Sequence, residues 1–476
     1  MTSIVLLIPN SRWFDKRAWV SIPYAALILT ALLKDRYDFS IIDANGDNLD
    51  EAQCRERLVA LAPQLILVTA LSVEYHRHAH TSLAIARNAC PEATTVLGGV
   101  YPTTLPEEAG KDLNADWLFM YHAEERLVPF LELLLEGDKR IETFPGIAFR
   151  DAAGTLMVNP PASTIGDVPV MVQPDYSLID AGKYLQHDTM DYQLNSDRPT
   201  AFIITSYGCP YNCVFCAART ISGRRIVFRP LADVLAEIEY LKDNYGIENV
   251  IFLDDALLAD RKRVVELLNA FIERDYTLTW KVVTVSAWHL DNELLKLMAR
   301  SGCTQITISV ESGSQRVLDE VIRKPLRLEI VAPLVQQCRE AGITMGANFV
   351  IGIPGETWEE IRQTFSFAEA CDFDVAHFHI ATPLPQTDLY RICRENGYIP
   401  DDFSFLDPNF FGYGTGFITT DEFNPFELMV LRAFEWDRIN FSTPEKRERV
   451  ARLYGISPDA LNEHRRQTRR KLGVHF

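Results

Sequence analysis

Apolar runs of strand length alternate with amphipathic stretches of helical length twice over in this chain, and that rhythm is its strongest constraint. In the first series "SIVLLIP", "DFSIIDAN", "QLILVTALS", "ATTVLGGV" and "DWLFMYH" read as strands, with stretches such as "PYAALILTALLKD" and "LDEAQCRERLVALAP" between them as helices. Strands that are apolar almost throughout belong to a parallel sheet with helices on both faces. Five of them over residues 1–140 predict a flavodoxin-like, doubly wound N-terminal domain, whose ligands bind beyond the carboxyl ends of the strands. That rule puts Asp43–Asn48, Thr69–Leu71 and Gly98–Gly99 along one rim.

Residues 141–197 are proline-rich and read as a linker, with "RDAAGTLMVNP" as a small hairpin. The alternation then resumes. "TAFIITSY", "NVIFLDD", "TWKVVTVS", "QITISVES", "TMGANFVIGIPG" and "VAHFHIATPLP" give six strands with helices between them. Over residues 198–400 this predicts a partial (β/α)6 barrel with functional loops at the C-terminal strand ends. Residues 401–476 begin with the aromatic, glycine-rich "FSFLDPNFFGYGTGFITTDEFNPFE" and end in helical patterns, a small, mostly helical region that caps the barrel or meets substrate.

The net charge of −18 repels phosphate backbones, which argues against a nucleic-acid partner. "MTSIVLLIPNSRW" has no basic start and reaches Pro and Asn too early for a signal peptide. The longest apolar stretch, "IPYAALILTALL", is about half the roughly 20 residues of a membrane span. The expectation is a cytoplasmic protein without a transmembrane segment. Thiols stay reduced there, and clustered cysteines read as metal ligands or catalytic groups.

Three cysteines do cluster. "GCPYNCVFCAA" places Cys209, Cys213 and Cys216 on one tight loop directly after a predicted strand. Three thiolates can each hold one corner of a cubic iron–sulfur cluster. A closed zinc site is the other reading, and it asks for a fourth ligand at a usable spacing. The next cysteine is Cys303 and the next histidine His289.

"CPYNCVFC" resembles the CxxxCxxC signature of the radical S-adenosylmethionine (SAM) enzymes, with Phe215 as the aromatic before the last cysteine. The resemblance implies that the three cysteines hold a 4Fe-4S cluster whose fourth iron is left to SAM. It continues along the barrel. "FLDDA" matches the segment that receives the SAM methionine, which implies roles for Asp254 and Asp255. "ISVESGS" is similar to the fourth-strand motif and points Glu311 at SAM. "GANFVIGIPGET" is similar to the glycine motif near adenine and brings in Gly352. "IATPLPQTDLY" carries Gln386 where the family has glycine. From the residues alone, Asp255 has a second reading as the cap of the following helix.

A doubly wound domain ahead of such a barrel resembles the cobalamin-binding branch of that family. Its "DxHxxG … SxL … GG" pattern corresponds here to Asp43 and Asn45 in "DANGDN", Thr69 and Leu71 in "TAL", and Gly98–Gly99. Asn45 stands where the cobalt-ligating histidine would, and "YHAEE" stands where relatives carry "GEGE". The alternating His76, His78 and His80 read as a polar helix start.

The resemblance implies a cobalamin-dependent C-methyltransferase. Its target would be an unactivated carbon of a small metabolite or a lipid- or tetrapyrrole-like substrate, and its electron would come from an external donor such as flavodoxin or ferredoxin. Ring formation or rearrangement on the same two domains is the close alternative. A non-catalytic cobalamin sensor and an RNA methylthiotransferase are more distant ones.

Overall fold

The first series of apolar runs becomes strands β1 (Ser3–Ile8), β2 (Asp38–Asp43), β3 (Leu65–Ala70), β4 (Thr94–Gly99) and β5 (Trp117–Phe119). They pair in parallel in the order β2-β1-β3-β4-β5. This is the doubly wound order, with a helix returning the chain after each strand. β1 and β3 lie at its centre, and nearly all of their side chains are buried. The computed structural model describes residues 1–15, 19, 21–161, 171–185, 198–408, 410 and 414–470.

Residues 147–158 fall within the stretch read above as linker, yet they continue this sheet. β6 (Ile147–Arg150) pairs antiparallel with β5, and β7 (Leu156–Val158) pairs antiparallel with β6. The reason is packing. Ile147 and Ala148 are wholly buried, and Phe149 stacks on Trp117 with ring centroids 5.0 Å apart. Residues 171–185 are also anchored: Tyr176 donates to Glu237 at 2.5 Å, and Glu237 pairs with the fully buried Arg229. The linker residues 162–170 and 186–197 lie outside the described residues.

The second series opens with β8 (Thr200–Ile203). β9 (Ser206–Tyr207) and β10 (Val227–Phe228) form a short antiparallel ribbon. β11 (Asn249–Phe252), β12 (Thr279–Val285), β13 (Cys303–Glu311), β14 (Thr344–Ile351) and β15 (Val375–Ile380) complete a six-stranded parallel sheet with β8. Its spatial order is the chain order, β8-β11-β12-β13-β14-β15, which is the sequence of a partial barrel. The outer edge of β15 is closed by a side chain. The Asn440 amide donates to the Ala376 carbonyl at 2.9 Å and accepts from its N–H at 2.8 Å, replacing a neighbouring strand.

The chain divides into two units by its internal contacts. The first comprises Met1–Gln186, Ser206–Pro210 and Ala218–Tyr245; the second comprises His187–Thr205, Tyr211–Ala217 and Gly246–Phe476. The C-terminal region supplies helices Pro425–Phe441, Pro444–Leu453 and Pro458–Arg470. Proline opens each, where its missing N–H costs nothing. The aromatic segment before them packs on itself. Phe403, Phe405, Phe410 and Phe417 lie ring to ring, with Tyr390 4.8 Å from Phe405. Phe410, 1% exposed, is the buried centre of this cluster, and Phe403, Phe405 and Phe417 are half-buried around it. Residues 409 and 411–413 of that segment, and residues 471–476, lie outside the described residues. No helix among the described residues is long and apolar enough to cross a membrane.

Candidate active site

The three cysteines stand on the loop between β9 and the short helix Ala218–Ile221, all half-buried and none in a disulfide. Gly208 makes the entry turn possible. Its φ is +92°, and a Cβ there would sit 2.2 Å from the Arg225 carbonyl oxygen. The loop is then pinned twice. The Tyr211 hydroxyl, between the first two cysteines, accepts the Trp288 indole N–H at 2.9 Å and lies 2.7 Å from His289 Nε2. Indole nitrogen only donates, so the phenol O–H is left to donate to the imidazole. Burial lowers the pKa of His289 and favours that neutral acceptor. Val214, between the second and third cysteines, donates its N–H to the Ile322 carbonyl and accepts from the Leu389 N–H. Phe215 follows it, half-buried.

The other barrel residues named from the sequence sit at C-terminal strand ends. Asp254, 3% exposed after β11, accepts from the Thr205 hydroxyl at 2.6 Å and from the Thr205 N–H, tying two strand ends together. Asp255 beside it is half-buried. It does not cap the next helix; Asp260 does, accepting from the Arg263 N–H. Glu311 closes β13 with φ +72°, a left-handed conformation that costs a non-glycine residue about 1–2 kcal/mol and marks a constrained site. Its carboxylate is 3.0 Å from the Lys324 ammonium, and both residues are 6% exposed. Burial alone would lower the Lys324 pKa. The Glu311 carboxylate and the Cys213 and Cys216 sulfurs outweigh it and hold that pKa above the ordinary lysine value.

Gly352, after β14, has φ +82°, and a Cβ there would meet Leu428 at 2.4 Å. The left-handed backbone is what favours glycine here, since Leu428 meets it only with the end of its side chain. Gln386, in place of the family's glycine, still adopts φ +61°, so the turn is kept.

In the first unit a cleft of about 1060 Å3, its open mouth included, runs along one face of the sheet. Its walls are mostly apolar: Tyr24 and Ile28 from the helix Tyr24–Leu33, Leu67 from β3 and Phe119 from β5. Thr69, Gly98 and Gly99 of the predicted rim line it. The two glycines differ in kind. Gly99 has φ +110° and a Cβ would clash with the Ala70 carbonyl at 2.3 Å, so the fold itself requires glycine. A Cβ on Gly98 would meet only the Phe119 carbonyl at 3.6 Å, an ordinary contact. At that position the open space belongs to the cleft.

Asp43, Asn45 and Leu71 of the same expectation are not on the cleft wall. The Asn45 amide oxygen accepts from the Ser11 N–H and hydroxyl, and its nitrogen donates to the Trp19 carbonyl. Asp43 accepts from the Tyr184 hydroxyl at 2.8 Å and the Gly46 N–H. Burial holds its carboxyl above the usual range in spite of those bonds. The "DANGDN" turn is thus committed within the chain. So are the histidines of helix His76–Ala89: His76 bonds the Val73 carbonyl, His78 the Trp13 carbonyl, and His80 both Asp112 and Tyr101.

The family described as the radical SAM superfamily matches residues 203–368, a span that holds the cysteine loop, β11, β13 and β14. Those residues form a radical SAM domain. The chain is similar to the cytidylyl-2-hydroxyethylphosphonate methyltransferase of Streptomyces wedmorensis, 28% identical over 80% of this chain and 77% of that one. It is also similar to the anaerobic magnesium-protoporphyrin IX monomethyl ester cyclase of Rubrivivax gelatinosus, 27% identical over 78% and 65%. Among solved structures, the radical SAM methyltransferase TsrM of Kitasatospora setae superposes with a TM-score of 0.76 across 99% of both chains at 20% identity, a likeness of fold.

For a radical SAM protein the donor set fits a cluster. Among the described residues no three His, Cys, Asp or Glu side chains converge on a single ion, and a cluster does not ask for that, because each thiolate binds a different iron. The sequence reading missed Lys324 and the Tyr211–Trp288–His289 contact. Lys324 lies 13 residues beyond Glu311 in a stretch without a motif, and only a buried lysine among apolar neighbours would have flagged it.

Proposed function

We propose that this chain is a cobalamin-dependent radical SAM enzyme that transfers a methyl group to an unactivated carbon of a small metabolite. One observation carries the reading: the same chain holds a pinned three-cysteine loop and, in a doubly wound unit, an apolar cleft kept open at Gly98. The TsrM structure contains cobalamin and a [4Fe-4S] cluster, and the Streptomyces relative is a methyltransferase, which supports the same assignment.

When bound, the cluster and cobalamin supply one-electron and methyl-transfer chemistry to SAM and substrate. The chain's own residues bind and orient. Cys209, Cys213 and Cys216 would hold the irons, and Lys324 would offset the negative charge of the thiolates at Cys213 and Cys216. Glu311 is held at the strand end by that lysine, which supports the SAM contact that its motif implies. The Thr205–Asp254 bonds fix the neighbouring strand ends. In the first unit Thr69, Gly98 and Gly99 border the space for cobalamin, and the apolar walls exclude water from it. Thiolate ligands call for reducing conditions, which supports the reading of a cytoplasmic protein served by an external one-electron donor such as flavodoxin or ferredoxin.

Product ratio tests the reaction. Anaerobically reconstituted protein with substrate should form S-adenosylhomocysteine and 5′-deoxyadenosine in comparable amounts. 5′-Deoxyadenosine alone would favour ring formation, the reading that the cyclase relative supports. The two glycines test the cofactor. Gly98→Val should fold with an unchanged melting temperature and lose cobalamin absorbance after gel filtration. Gly99→Ala should instead destabilise the apo-protein by at least about 1–2 kcal/mol, because its φ is left-handed and the Cβ has no room.

A further inference from the structure

Glu124 is an odd residue for an apolar cleft wall. It lines the cleft and is 8% exposed. Burial holds its carboxyl above the usual carboxylate range, and the backbone N–H groups of Glu124 itself and Ala123 act against that. His122 lies 4.0 Å away, and burial, with Arg126 beside it, pushes that imidazole down to about 4, which favours its neutral form. Arg126, two residues on, gives its two terminal nitrogens to the carbonyls of Met120, His122 and Pro145. A carboxylate buried without a cation costs stability unless further donors reach it. A ligand in the cleft is placed to bring one.

We propose that Glu124 is the polar anchor of the cleft, accepting a hydrogen bond from an N–H or O–H of the bound ligand. The inference rests on the cobalamin reading and names how that cofactor is gripped. Cobalamin carries both kinds of donor: carboxamide N–H groups around the corrin ring and a ribose O–H in the nucleotide tail. The acceptor serves either.

The test uses full-length protein, with cobalamin and with cobinamide, which keeps carboxamides and lacks the ribose. Glu124→Leu removes the acceptor at similar volume, and Glu124→Gln keeps an acceptor oxygen. Glu124→Leu should weaken cobalamin binding about tenfold or more, the scale of a buried hydrogen bond to a charged group, and Glu124→Gln should weaken it less. Meanwhile the apo-protein of Glu124→Gln should melt close to wild type, because its amide oxygen still accepts from the backbone N–H groups of Ala123 and Glu124. An equal loss for cobinamide assigns the donor to a carboxamide; a loss confined to cobalamin assigns it to the ribose. Unchanged cobalamin affinity overturns the proposal. So does a joint fall of affinity and melting temperature in both variants, which would make Glu124 a structural residue. Wild-type protein that binds neither corrinoid sinks the cobalamin reading and this assignment together.

Discussion

Protein in which Cys209, Cys213 and Cys216 are all replaced by Ala should leave anaerobic reconstitution colourless, with no bound iron or sulfide and no 5′-deoxyadenosine from SAM. The visible absorbance of an iron–sulfur centre arises from thiolate–iron bonds, and this loop supplies the only three clustered thiols of the chain's nine cysteines. The variant should still fold. The cysteines are half-buried, and the loop is held by other residues: Gly208 at its entry, the Tyr211 hydroxyl between Trp288 and His289, and both backbone groups of Val214. Its melting temperature should therefore stay within a few degrees of wild-type apo-protein. That separation matters, since loss of the cluster with an intact fold assigns the cysteines to the metal and not to the core. Full retention of iron and sulfide would refute the assignment.

Lys324→Met should be among the most damaging single changes in the barrel. Lys324 and Glu311 are each 6% exposed and 3.0 Å apart, so removing the cation strands a carboxylate where water does not reach. Breaking one side of such a pair costs about 3–5 kcal/mol, whereas replacing both sides by well-packed apolar groups can be nearly neutral. The double variant Lys324→Met, Glu311→Leu should thus recover most of the melting temperature lost in the single one. It should not recover SAM cleavage, because the strand-end carboxylate would be gone. The pH sign is fixed as well. The lysine pKa is raised in the folded state, so the pair's contribution is complete below the unfolded value of 10.5 and is lost as pH climbs through the higher folded one. Near neutral pH the cost of Lys324→Met should be flat. A single variant as stable as wild type would mean that the pair is solvated and marginal.

Much of the fold was legible because it is written locally. β1 and β3 are apolar on both faces, and a strand of that kind has only the centre of a parallel sheet to go to. The cysteine spacing was legible for the same reason, as was the placement of Asp254, Glu311 and Gly352 at strand ends. The hairpin Ile147–Val158 was less so. Its residues looked like a linker because prolines surround them, and only the stacking of Phe149 on Trp117 gives β6 its partner. At the rim, Thr69, Gly98 and Gly99 line the cleft as their motif implied, but Asn45 does not. Its amide is used by Ser11 and Trp19, a bond across more than 25 residues that no spacing rule announces.

By itself the sequence determined that this chain makes two series of parallel strands and carries a three-thiol loop after the first strand of the second series, since alternation and ligand spacing are properties of neighbouring residues. Only the tertiary structure decided which of the strand-end residues remain available for chemistry. Pairings such as Glu311 with Lys324, Asp254 with Thr205 and Asp43 with Tyr184 depend on strand register and on the path of the chain between distant residues. A buried polar group must find a partner, and which partner it finds is settled by what packing brings within about 3 Å.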